Sequence, residues 1–175
     1  MSELVLIKPS ITYSKEIWDY RSAFLSDGDS LDGTAGLGNV EAVNEWLENL
    51  KKNSCEETVA EGLVPATTYL AVRKGDGQVV GMIDIRHRLS DFLLNSGGHV
   101  GYSVRRSERR KGYATEMVRL ALKVCRDRLL LSKVLITCDK ENIASAKTIL
   151  ANGGLLENEI LEEGQITQRY WINLS

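Results

Sequence analysis

Histidine and cysteine are scarce in this chain: His87 and His99, with Cys55, Cys125 and Cys138, are all that 175 residues contain. The cysteines are odd in number and none stands at CxxC spacing, so neither a disulfide framework nor a zinc site is expected. Reduced thiols in a cytoplasm, and no metal, fit that set. Charge of one sign is lacking too. The 22 basic and 24 acidic residues leave a net charge of −2 and a pI near 5.8, against the basic balance of a nucleic-acid-binding domain, so no nucleic-acid partner is expected. No apolar run approaches the roughly 18 residues of a membrane span, and the first residues carry neither a basic region nor a long apolar stretch. A soluble, cytoplasmic protein without a membrane partner is the expectation. No repeat, low-complexity tract or shift of composition divides the chain, so residues 1–175 read as one domain, and 43% hydrophobic content can supply its core.

What is present alternates between two periods. Leu4 to Lys8 reads as a strand ended by Pro9. Tyr13 to Leu25 reads as a helix with Ile17, Tyr20, Phe24 and Leu25 on one face, and Val40 to Leu50 as a second with Val43, Trp46, Leu47 and Leu50. Thr67 to Arg73 and Val79 to His87 form a hairpin around Lys74-Gly75-Asp76-Gly77-Gln78. An irregular segment with Asn95-Ser96-Gly97-Gly98 leads to a strand from His99 to Val104. A helix from about Gly112 places Ala114, Met117, Val118, Ala121, Val124 and Cys125 on one face. Val134 to Cys138 is a buried-type strand. A helix from Ile143 to Asn152 follows, with Asn142 as N-cap and Gly153 as C-cap, and Leu155 to Leu161 pairs with Gln165 to Leu174.

Between the strand ending at Val104 and the next helix lies Arg105-Arg-Ser-Glu-Arg-Arg-Lys-Gly-Tyr-Ala114. A helix entrance presents unpaired backbone N–H groups and the positive end of the helix dipole, and basic residues add charge, so a phosphate-bearing cofactor is the natural guest. Gly112 lets the backbone approach a phosphate and tolerates positive φ.

Arg109-x-x-Gly112-x-Ala114 resembles the Arg/Gln-x-x-Gly-x-Gly/Ala signature of the GNAT superfamily of N-acetyltransferases, and the order β-α-α-β-β-β-α-β-α-β-β is similar to theirs. The resemblance implies an α/β (α+β) fold: a mixed, largely antiparallel central sheet of about seven strands, flanked by about four helices and splayed between strands four and five. It also implies acetyl-CoA as cosubstrate. The pyrophosphate would lie on Arg109, Arg110, Lys111, Gly112, Tyr113, Ala114 and Thr115. The pantetheine would lie against backbone groups of Tyr102, Ser103 and Val104, beside Asn142 and Ser145, with Lys147 near a phosphate. Asn142 reads equally as a plain helix cap, and Lys147 as a solvated lysine.

The reaction so implied is direct attack of an amine on the thioester, with no protein nucleophile. The acceptor is a primary amine of a small molecule or peptide. In the family a tyrosine often stands seven residues after the asparagine and protonates the leaving thiolate; Ile149 occupies that position and cannot. That departure keeps a second reading open, a catalytically inactive acyl-CoA-binding or sensing module. An alkyl amine is mostly protonated at neutral pH, so a base is needed. His99 and His87 are the side chains whose ordinary pKa suits it, though each could equally be a hydrogen-bonded structural residue. Tyr102 could serve as acid, pantetheine neighbour or core aromatic. Asp84 and Arg86 share one face of their strand, and could line the acceptor site or face solvent. Asp27, Asp29 and Asp32, in the long loop between the first two helices, would attract a cationic amine. The chain could be a monomer or a homodimer.

Overall fold

The computed structural model describes residues 2–175. Strands β1 (Leu4–Ile7), β2 (Ala66–Arg73), β3 (Val79–Arg86) and β4 (Val100–Val104) pair antiparallel in that order. A second sheet has the order β5 (Lys133–Asp139), β7 (Gln165–Asn173), β6 (Leu155–Glu162). The expected single sheet is thus parted between β4 and β5. A bridge from Gly98 to Ile136 and the His99 N–H donating to Leu135 O at 2.8 Å hold the two halves together at one end. From Val100 onward β4 has no ladder partner on its β5 side among the described residues.

Among the described residues five α-helices form, α1 (Ser14–Asp27), α2 (Val43–Asn53), α3 (Asp91–Asn95), α4 (Tyr113–Asp127) and α5 (Ile143–Ala151). Helix α2 begins three residues later than Val40. The reason lies in Arg21, whose guanidinium donates to the carbonyls of Leu37, Gly38 and Val40 and holds that stretch outside a helix. The single turn α3 falls in the segment read as irregular. It is nucleated by Ser90, whose hydroxyl accepts from the Leu93 N–H. Helix α5 is capped as its sequence indicates: Asn142 accepts from the Ser145 N–H at 3.1 Å, and Gly153 follows the last turn with φ +86°.

Alternation along β2 and β3 sends side chains into two cores. Leu70, Val72, Val79 and Met82 meet α1, α2 and the loop between them through Ile17, Tyr20, Phe24, Trp46 and Leu37. Tyr69, Ala71, Ile83 and Ile85 meet α4 and α5 through Met117, Val118, Ala121, Cys125 and Ile149. Each such buried aliphatic side chain contributes about 1.5–3 kcal/mol. With both faces packed, what remains open along β4 is its edge toward β5.

Candidate active site

At the end of β4 the chain makes a short 3₁₀ turn, Arg106–Glu108, and enters α4 through Arg110 at φ +63° and Gly112 at φ +84°. These left-handed residues fold the backbone so that successive N–H groups point out of the turn, the concave arrangement that binds anions. Gly112 is the N-cap of α4 and offers no side chain to the first-turn N–H groups. A Cβ built there meets nothing within 4 Å, so φ, not crowding within the protein, is what calls for glycine.

The cations of this turn are less open than their run in the sequence suggests. Arg109 donates to Val104 O at 2.9 Å and, with Arg106, to Asp29, whose carboxyl these arginines hold below its ordinary pKa. Glu108 is buried between Lys111 at 2.9 Å and Arg73 at 2.8 Å. Arg105 lies over the Tyr20 ring. Arg105 and Arg110 have no ion-pair partner among the described residues, and of the two only Arg110 is not laid over a ring. The Tyr113 side chain is turned into the core, where its hydroxyl accepts from Arg73, and Thr115 O accepts from Asn152. Tyr113, Ala114 and Thr115 therefore present backbone N–H groups.

Along β4 the ladder assigns the amides. Arg86 N–H donates to His99 O and Arg105 N–H to Val80 O, so odd-numbered residues pair with β3; the N–H and C=O of Val100, Tyr102 and Val104 then point into the gap toward β5. This corrects the expectation for Ser103. Its amide lies in the ladder and its hydroxyl is 2.9 Å from Tyr20 Oη on the α1 face, so it turns away from the gap. Tyr102 points to the other face, where its hydroxyl is 2.6 Å from Ser145 Oγ on α5. Burial raises the Tyr102 pKa, which keeps the phenol protonated at neutral pH. Ile149 is fully buried one helical turn beyond Ser145. Lys147 is exposed on the same helix.

Neither histidine has the geometry of a free base. His99 is 4% exposed and its Nδ1 accepts the Leu135 N–H at 2.9 Å. That bond places the ring proton on Nε2 and takes the lone pair a base would use, while burial and the Arg86 charge push the pKa down to about 4. The expectation of His99 as base is corrected accordingly. His87 continues the alternation of Ile83 and Ile85, away from Asp84 and Arg86, and bonds Thr67 Oγ1 at 2.8 Å; burial lowers its pKa.

On the α1 side of β4, the loop between α1 and α2 lies directly on the strand. Gly33, at φ +69°, packs so closely that a Cβ would collide with Gly101 O and Tyr102 Cα. The loop's aspartates do not form the cation trap expected of them: Asp29 is taken by Arg106 and Arg109, Asp27 lies 4.0 Å from Arg106, and Asp32 accepts from Ser30. Beneath Gly33, Asp84 is buried, accepts from Thr68 Oγ1 at 2.9 Å and lies 3.3 Å from Arg86 Nε. The pairing of Asp29 with Arg106 and the seating of Gly33 on β4 carried no local signal, since each meets its counterpart only after a long chain excursion.

The family model for the acetyltransferase (GNAT) domain matches residues 17–154. An uncharacterised N-acetyltransferase of Bacillus subtilis is 26% identical over 132 residues, 75% of this chain and 70% of that protein. Among solved structures, spermidine N-acetyltransferase from Vibrio cholerae in complex with CoA and spermine aligns over 99% of this chain and 97% of its own, with 15% identity and a TM-score of 0.67. The microcin C7 self-immunity acetyltransferase in complex with acetyl-CoA and AMP aligns over 99% and 93%, with 17% identity and a TM-score of 0.65. At these identities the structural likeness is one of fold.

Proposed function

Since this chain belongs to the GNAT family of acetyltransferases, we propose that it transfers the acetyl group of acetyl-CoA directly to a primary amine of a small molecule or peptide. The observation that carries the reading is the continuity of β4 with the turn: unpaired amides of Tyr102 and Val104 lead straight to the amides at Gly112. Donors along this line match the polar groups of a pantetheine arm and its pyrophosphate. The first-turn N–H groups of α4, with Arg110, hold the diphosphate; Arg109, fixed between Val104 O and Asp29, sets the shape of the turn. A β4 amide donates to the thioester carbonyl and more strongly to the oxyanion formed as the amine attacks.

Tyr102 and Ser145 supply the proton that Ile149 cannot. Side chains on a helix lean toward its N-terminus, so a phenol rooted at position 149 would hang over position 145. Tyr102 brings a phenol to that same turn from the opposite wall. The pair donates a proton to the departing thiolate, which is already a tolerable leaving group with a thiol pKa near 8.5. Replacing Tyr102 with Phe tests the assignment: thiol release across a panel of amines is expected to fall about 10–100-fold in kcat, with coenzyme affinity by calorimetry unchanged. Tight coenzyme binding with no turnover on any amine in the unaltered protein would instead favour the sensing module.

A further inference from the structure

Arg86 is held in one pose from three directions. Its Nε faces Asp84 Oδ2 at 3.3 Å, and its Nη1 donates to Gly97 O at 3.1 Å and Gly98 O at 3.4 Å, at the point where the two sheets touch. The guanidinium lies over Gly101, the residue paired with Asp84 across β3 and β4, and borders Gly33. Nη2 makes no hydrogen bond among the described residues, yet a quarter of the side chain remains exposed. A planar fork with one edge fixed and one edge open is arranged to bind an oxygen.

The opposite face of the gap is closed by the Tyr102–Ser145 contact and α5. An amine attacking a thioester held along β4 must therefore come from the face where Arg86 and Gly33 flank Gly101. Of the carboxylates near that face, Asp27, Asp29, Asp32 and Asp84, only Asp32 has no cation within 4.0 Å among the described residues, which is too little for a polycation. Asp29 is compensated by two arginines, Asp84 is buried against Thr68 and Arg86, and His99 beside Arg86 is neutral.

We propose that Arg86, positioned by Asp84, selects an acceptor amine whose neighbouring carbon carries a carboxylate or carbonyl oxygen, as in an α-amino acid or a peptide N-terminus. The open Nη2 binds that oxygen and directs the adjacent nitrogen past the Arg86 guanidinium toward the β4 edge. Asp84 is a positioning residue: it holds Nε and does not touch the acceptor. This rests on the acetyltransferase reading above and adds the class of amine.

The test compares three forms of one acceptor, the free α-amino acid, its amide and the decarboxylated amine, with spermidine as the polycation. Each is titrated into the CoA-saturated protein and assayed for thiol release from acetyl-CoA. Preference of at least tenfold in kcat/KM or Kd for the acid or amide over the decarboxylated amine is expected; the acid ahead indicates free amino acids, the amide ahead peptide N-termini. In Arg86→Gln that preference should collapse to within about twofold through a raised acceptor KM, with the acetyl-CoA KM unchanged, and Asp84→Asn should weaken it partially. Equal or better use of the decarboxylated amine or of spermidine overturns the proposal, as does absence of binding by every oxygen-bearing form to protein that does bind CoA. Failure to bind CoA at all would instead sink the acetyltransferase reading. The unaltered protein alone decides, so a misfolded Arg86 variant cannot shelter the claim.

Discussion

The two flanks of β4 were built by different rules. On one flank the turn from Arg105 to Ala114 is contiguous, and its chemistry is mostly backbone: left-handed φ at Arg110 and Gly112, then the unpaired N–H groups of a helix start. On the other flank Gly33, Asp84, Arg86 and His99 come from three separate segments and act through side chains and close packing. A site made of consecutive amides is specified by a short string of residues. A site made of converging side chains is specified only by the fold that converges them. Asp29 joins the two, since the loop that covers Gly101 also binds Arg106 and Arg109 of the turn.

If the turn works through its backbone, Gly112 should be its most sensitive position. Gly112→Ala isolates the cost of φ +84° for a residue with a Cβ, about 1–2 kcal/mol, because no atom lies within 4 Å of the new methyl group. Gly112→Asp adds a carboxylate where the diphosphate binds. Calorimetry with CoA is expected to show a loss of 100-fold or more for Asp and about tenfold for Ala, with thermal stability lowered modestly in both. Equal affinities for the two variants would mean that the anion sits elsewhere.

That contrast also explains what the sequence made readable. The order of elements along the chain, the α4 face from Ala114 to Cys125 and the Asn142 cap follow from periods or caps confined to a few residues, whereas the gap between β4 and β5 was implied by the family resemblance. The helix expected from Val40 starts later because a tertiary donor, Arg21, took the Val40 carbonyl that its first turn would need. The loop aspartates and the histidines misled for a related reason. Residue type gives the capacity to bind or titrate, but Asp29 and His99 spend theirs on Arg106 and Leu135, which are remote in sequence.

On the acceptor flank the prediction concerns packing. Gly33→Ala places a methyl group against Gly101 O and Tyr102 Cα at φ +69°, so the loop must lift from β4. Overpacking of this kind costs about 1–3 kcal/mol, and the left-handed φ adds roughly 1 more. Chemical denaturation is expected to register a loss near 3 kcal/mol, and acceptor KM should rise while CoA affinity stays within about twofold. Parallel loss of CoA affinity would show that the two flanks are coupled more tightly than through Asp29.

The smallest expected effect separates His99 as a structural residue from His99 as a base. Its pKa is pushed from 6.5 to about 4 in the folded chain, so between those values the unfolded chain binds the extra proton and stability rises with pH. The stabilisation is complete above the unfolded value and drains away as pH falls toward the folded one. Between pH 7 and pH 5 this amounts to about 2 kcal/mol for one such group. In His99→Gln the amide oxygen can still accept the Leu135 N–H but cannot titrate, so denaturation midpoints across that range should flatten relative to the parent. The pH–rate profile of kcat/KM should keep its shape in the same variant, because a histidine whose Nδ1 is bonded to Leu135 takes no proton from the amine. A variant that instead lost the acid limb of its rate profile and kept the parent's acid sensitivity would return His99 to the chemistry.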